Sequence, residues 1–210
     1  MDFRGDILAV YERRRNPRVV WQPRLEHWYR INRREGRIPQ RYKDAELRDI
    51  YDDLHASVRY FWSPEGFRTI HSPEITVTRE QKEGCWHTCW KTPHGNMLKI
   101  ERITHDSWMT TKFPIESLDD VCIMEYVLED AEYEFDPDLF EHARSELGNR
   151  TAPITIFPRV NLQRMFIDYL GYENSVYFLH DHPEKMEAFV RAIDRSDDRL
   201  AEVVKDSRYD

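Results

Sequence analysis

The sequence predicts an α/β fold carrying an inserted antiparallel β region, on three observations. Helical and strand-like segments alternate along most of the 210 residues. From residue 67 to residue 104 the texture shifts to short runs rich in β-branched and aromatic residues. Two short apolar runs, Val19-Val20-Trp21 and residues 152–157, read as buried strands bounded by turn residues.

The elements follow in order. Phe3, Ile7, Leu8 and Tyr11 recur at helical spacing, and Asn16-Pro17 stops that run. After the Val19 strand, broken at Pro23, residues 24–35 read as a helix ending at Gly36. Residues 45–60 place Leu47, Ile50, Tyr51, Leu54 and Val58 on one helical side. In the β region, Ile75, Val77 and Arg79 alternate with Thr76, Thr78 and Glu80, and residues 85–90 alternate likewise. The segment 91–96 is a turn, and residues 97–103 return as a strand. Helix resumes after Phe113-Pro114, where Ser117 can cap and Asp119 and Asp120 occupy the first turn. Residues 139–147 form a helix ending at Gly148, residues 161–170 one ending at Gly171, and residues 184–204 the last.

Composition narrows the function classes. Lys and Arg total 31 against 39 Asp and Glu, for a net charge of -8, which disfavours nucleic acid and anionic membrane as partners. No signal segment or apolar run of spanning length is present, and three cysteines are too few for a disulfide scaffold, so a cytoplasmic location is expected. Charge is unevenly spread. Residues 1–48 hold thirteen Lys or Arg and seven acids, whereas residues 116–148 hold twelve acids and Arg144 alone. These are either solvated faces or, in the first segment, an anion-binding rim of arginines.

Arg24, Glu26 and His27 follow the first predicted strand directly, and Arg159 follows the second. Ligands of parallel α/β proteins bind at the carboxyl ends of strands. Arg24 there could grip a carboxylate, with Glu26 and Arg159 beside it, and His27 could move a proton near neutral pH. The plainer reading makes Arg24 and Glu26 surface residues and His27 a cap or packing residue. Cys85, His87 and Cys89 share one strand face, but neighbours on that face stand nearly 7 Å apart, too far for one zinc ion without a bend. Ordinary sheet packing is expected, with no metal. Asp181 in His180-Asp181-His182 is expected to cap the last helix. No phosphate loop, nucleophile elbow or paired-histidine zinc helix occurs.

Several motifs together resemble a known family. Val19-Val20-Trp21-Gln22-Pro23-Arg24, Gly36-Arg37-Ile38-Pro39-Gln40-Arg41-Tyr42, Trp90-Lys91-Thr92-Pro93-His94-Gly95, Phe113-Pro114-Ile115-Glu116-Ser117-Leu118-Asp119-Asp120, and Asn161-Leu162-Gln163-Arg164 up to Gly171 are similar, in order, to the uroporphyrinogen decarboxylase superfamily. The resemblance spans nearly all of the chain as one domain. It implies a partial TIM (β/α)8-like barrel, with residues 1–210 as the N-terminal part of a full barrel of about 250 residues.

The activity implied is cofactor-free decarboxylation of a carboxylated, tetrapyrrole-related substrate, with Arg24 matching the family's first substrate arginine. Trp28 stands where the second arginine is expected, and Ile167 where the tyrosine is. The family's other branch implies a corrinoid-dependent methyltransferase-like protein, partnered by a corrinoid protein and lacking its zinc-binding C-terminal half, since no cysteine follows Cys122. A third reading is a non-catalytic fragment or small-molecule binding module. A homodimer is the expected assembly.

Overall fold

The computed structural model describes residues 1–15, 18–59, 66–105, 107–154 and 156–207. The expected stop at Asn16-Pro17, the helix end at Tyr60 and Thr155 within the second expected strand lie outside them. In chain order the elements are α1 (Phe3–Tyr11), α2 (Glu26–Arg34), α3 (Leu47–Asp53), β1 (Phe67–Ile70), β2 (Thr76–Lys82), β3 (Cys85–Thr92), β4 (Gly95–Ile103), β5 (Trp108–Lys112), α4 (Leu118–Asp130), β6 (Glu132–Phe135), α5 (Pro137–Leu147), α6 (Asn161–Arg164), α7 (Tyr172–Asp181) and α8 (Pro183–Asp206). They form two compact units, one of residues 1–66 and 136–156, the other of residues 67–135 and 157–209.

The barrel expectation is corrected by the strand directions. β1 pairs with β6, and β2-β3-β4-β5 form a four-stranded meander, every pair antiparallel. A barrel of the expected kind needs parallel strands, each joined to the next by a long helical crossover. Here two-residue connections join β2 to β3 and β3 to β4, and a four-residue connection joins β4 to β5. Glu83 (φ 49°) and Gly84 (φ 74°) both take the left-handed conformation that a tight hairpin turn demands.

The second unit is built around this meander and two long helices. α8 buries Met186, Phe189, Ile193 and Leu200 along one stripe, and α4 buries Val121, Met124, Val127 and Leu128. Met97 and Ile115 join all of these except Leu200 in one apolar core, with Trp90 packed at its margin. Ser117 caps α4 by accepting from the Asp120 N–H, while the Asp120 carboxylate accepts from the Ser117 N–H. At the other end of α4, Arg199 of α8 donates to the Leu128 and Ala131 carbonyls, which lack helical partners. The expected helix after Asn161 changes pitch into a π-helical turn over Met165–Tyr169 before Gly171 (φ 79°) ends it.

The first unit carries α1, α2, α3 and α5 around Leu47, Tyr51, Ala56, Val58 and Leu147. The expected helix over residues 45–60 stops early, because His55 adopts φ 51° after Leu54. The chain beyond it runs beside two other segments: the Ser57 N–H donates to the Trp21 carbonyl (2.9 Å) and the Val58 N–H to the Arg150 carbonyl (3.2 Å). The Gln22 amide reaches Ser57 Oγ (3.1 Å) and the Val58 carbonyl (3.2 Å). These contacts stop short of a strand ladder. Neither Val19-Val20-Trp21 nor the described part of residues 152–157 is a strand, and Val19 is 94% exposed rather than buried.

Candidate functional site

The start of α2 is held from below by one buried phenol. Tyr51, fully enclosed on α3, donates to the Pro23 carbonyl (2.7 Å), accepts from the Leu25 N–H (3.4 Å) and lies 3.1 Å from Glu26 Oε1. Burial pushes its phenol up to about 12, so the hydroxyl keeps its proton and its donor role. Pro23, Leu25 and Glu26 are thereby tied to the core. Arg24 and His27 project from that anchored turn at exposed positions.

His27 stands between two guanidinium groups. Arg24 Nη2 is 3.1 Å from its Nε2, and Arg30 Nη2 is 3.1 Å from its Nδ1. Arg30 is in place because it lies one helical turn beyond His27. A neutral imidazole offers one lone-pair nitrogen and one N–H, whereas a guanidinium offers donors only. The ring can therefore accept from at most one of the two guanidinium groups. A carboxylate beside the ring edge can accept from the guanidinium that the ring does not engage.

Further along the same helix, Glu26, Tyr29, Arg30, Arg33 and Arg34 line a cavity of about 440 Å³ with Leu47. Arg33 lies over the Tyr29 ring at 5.5 Å, and both side chains donate to the Ala45 carbonyl. Glu26 Oε2 is enclosed without a hydrogen-bond partner. The cavity surface is almost wholly apolar, formed by Leu47, the Tyr29 ring and the alkyl stems of the arginines. No family model, curated protein or solved structure matches the chain.

Of the residues singled out in the sequence, Arg24, Glu26 and His27 fall together in the first unit. Arg159 belongs to the second unit, where it binds Asp168 through Nη1 at 3.2 Å from each carboxylate oxygen. The strand-end argument that linked it to Arg24 fails, because the runs before both residues form no strand among the described residues. The alternation 26, 29, 30, 33 was present in the sequence as a helical stripe, and it is the signal that marks Arg30 and Arg33 as part of the site.

Cys85, His87 and Cys89 do share a face of β3, opposite Arg102, Ile100 and Leu98 on β4. Among the described residues no three His, Cys, Asp or Glu side chains are grouped to hold a metal ion. Asp181 does not cap α8: it lies in the last turn of α7, 2.8 Å from His180 Nδ1, and His182 occupies the cap position. Among the described residues no helix is long and apolar enough to cross a membrane.

Proposed function

We propose that this protein binds a carboxylated small molecule of the tetrapyrrole class, with one carboxylate received between Arg24, His27 and Arg30. The observation that carries the reading is the placement of an arginine against each ring nitrogen of His27. Paired guanidinium donors suit a carboxylate in number and geometry. Tyr29, Leu47 and the alkyl stems of Arg33 and Arg34 offer apolar surface to a ligand body.

The resemblance to the uroporphyrinogen decarboxylase superfamily supports the same ligand class. In a decarboxylation there, the bond between carboxylate and ring-attached methylene breaks, carbon dioxide leaves, and a proton arrives at carbon; His27 is the side chain of this cluster that can deliver one. Equilibrium titration with a tetracarboxylate porphyrin, read through fluorescence of Trp28 on α2, tests the binding. Saturable binding is expected, weakened on the order of tenfold by Arg24→Ala through loss of a charge-assisted hydrogen bond. Binding that is absent, or equal in the variant, overturns the reading. Carbon dioxide release from the corresponding porphyrinogen tests the chemistry separately.

A further inference from the structure

The four-stranded meander has one face on the core and one face away from it. On the first, Met97 and Trp90 pack with residues of α4 and α8, and Lys99 pairs with Glu101 and Asp168. The strand registers define the second. There Cys89 stands beside Leu98, and one row crosses all four strands as Glu80, His87, Ile100 and Lys112. A sheet face that stands in water is ordinarily polar. Here Cys85, Cys89, Leu98 and Ile100 occupy its middle strands, all half-buried, and neither Leu98 nor Ile100 belongs to an apolar core of the described residues. An apolar centre inside a charged rim is the anatomy of a protein interface.

The order of charges along the crossing row selects the occupant. Glu80 stands at the β2 edge and Lys112 at the β5 edge, so the row is acidic at one end and basic at the other. A two-fold axis lying between two such sheets and parallel to their strands puts β2 of one copy over β5 of the other. Glu80 then meets Lys112 of the partner subunit, the reciprocal pair forms at the opposite edge, and His87 lies over Ile100 of the partner subunit. In the single chain Glu80 pairs with Lys82 and Lys112 with Glu116, but these pairs are open to solvent and contribute little.

We infer that two copies of this chain stack these faces into a β-sandwich, with Cys89, Leu98 and Ile100 of each at its centre. Sheets packed in this way align within about 30° and lie about 10 Å apart. At ordinary strand spacing one such face measures roughly 450 Å², so the two together enclose on the order of 900 Å², the size of a weak and reversible interface. Dimerisation therefore depends on concentration. The inference concerns the second unit and stands apart from the carboxylate reading.

Sedimentation equilibrium of the intact protein, from micromolar to millimolar loading, tests it. The parent chain is expected to pass from monomer to dimer, and Ile100→Glu, which sets a charge at the centre, to remain monomeric. Glu80→Lys and Lys112→Glu each bring like charges together at both edges and are expected to weaken the dimer on the order of tenfold. The two changes combined restore opposite charges and recover most of the parent affinity. A parent that stays monomeric throughout, a dimer indifferent to Ile100→Glu, or a double variant no tighter than the single ones overturns the proposal. Circular dichroism checks the fold of each variant, and Glu80→Lys, at an exposed edge position, still decides the matter if Ile100→Glu fails to fold.

Discussion

The Tyr51 hydroxyl and the Pro23 carbonyl meet at 2.7 Å across 28 residues of sequence, and this contact ties α3 to the turn that presents Arg24 and His27. The hydroxyl also receives the Leu25 N–H. Two backbone groups near the site thus depend on one side-chain oxygen.

Tyr51→Phe removes that oxygen while keeping the ring, leaving a carbonyl and an N–H unpaired in a closed space. A loss of about 1–3 kcal/mol in unfolding free energy is expected, measured by urea denaturation. Loosening of the 23–26 turn should also weaken porphyrin binding, although Tyr51 touches no part of the proposed ligand path.

Tyr51 also gives the fold an alkaline limit. Burial raises its folded pKa from the ordinary 10 to about 12, and Tyr169 is raised to about 12 for the same reason. The folded chain therefore holds protons that the unfolded chain releases between pH 10 and 12. This stability is fully present below pH 10 and is lost as pH rises toward 12. Urea midpoints should fall across that window, and fall less steeply in Tyr51→Phe.

Gly95 tests the β3–β4 turn where it packs against α4. Its φ of 143° is strained for any other residue, and a Cβ meets Ile123 at 2.8 Å. Gly95→Ala is expected to cost about 1–3 kcal/mol, with thermal unfolding as the measurement. The companion Ile123→Val in that background should return part of the loss if the steric contact contributes to it.

Arg164 is nearly fully buried and binds both oxygens of Asp197, at 2.6 and 2.8 Å. Asp197→Ala strands a buried guanidinium, although Arg164 keeps its bond to the Arg159 carbonyl. Because Asp197 is a quarter exposed, the expected cost is about 2–4 kcal/mol, at or below the usual range for breaking a buried pair. The double change Arg164→Met with Asp197→Leu should be less damaging than Asp197→Ala alone. Chemical denaturation of the three variants checks this.

Local signals in the sequence correspond closely to local structure. Gly36, Gly148 and Gly171 all take positive φ just beyond helices, and Ser117 caps α4 with Asp120 in return. What periodicity does not carry is the pairing of distant segments. Short apolar runs such as Val19-Val20-Trp21 satisfy a strand pattern, yet a strand exists only where a neighbour completes its ladder. Residues 56–58 fit a continuing helix by periodicity, and only their bonds to Trp21 and Arg150, far away in sequence, take them out of it. The barrel came from motif order, whereas two-residue loops between β2, β3 and β4 dictate antiparallel pairing.

The site divides in the same way. Arg24, Glu26 and His27 were visible because they are nearly contiguous, and Arg30 joins them by helical spacing. Tyr51 and Leu47 were not, since their place under α2 depends on how α3 packs. Arg159 follows a run that forms no strand among its described residues.

Ring-nitrogen NMR of His27 reads directly whether a carboxylate binds beside His27 and its two arginines. Signals assigned with His27→Gln are followed while a tetracarboxylate porphyrin is titrated in. The His27 ring nitrogens are expected to shift along the same saturation curve as binding measured by fluorescence, and Arg30→Ala to reduce both together. A His27 signal that stays in place while binding saturates, or the absence of any binding, contradicts that placement of the carboxylate.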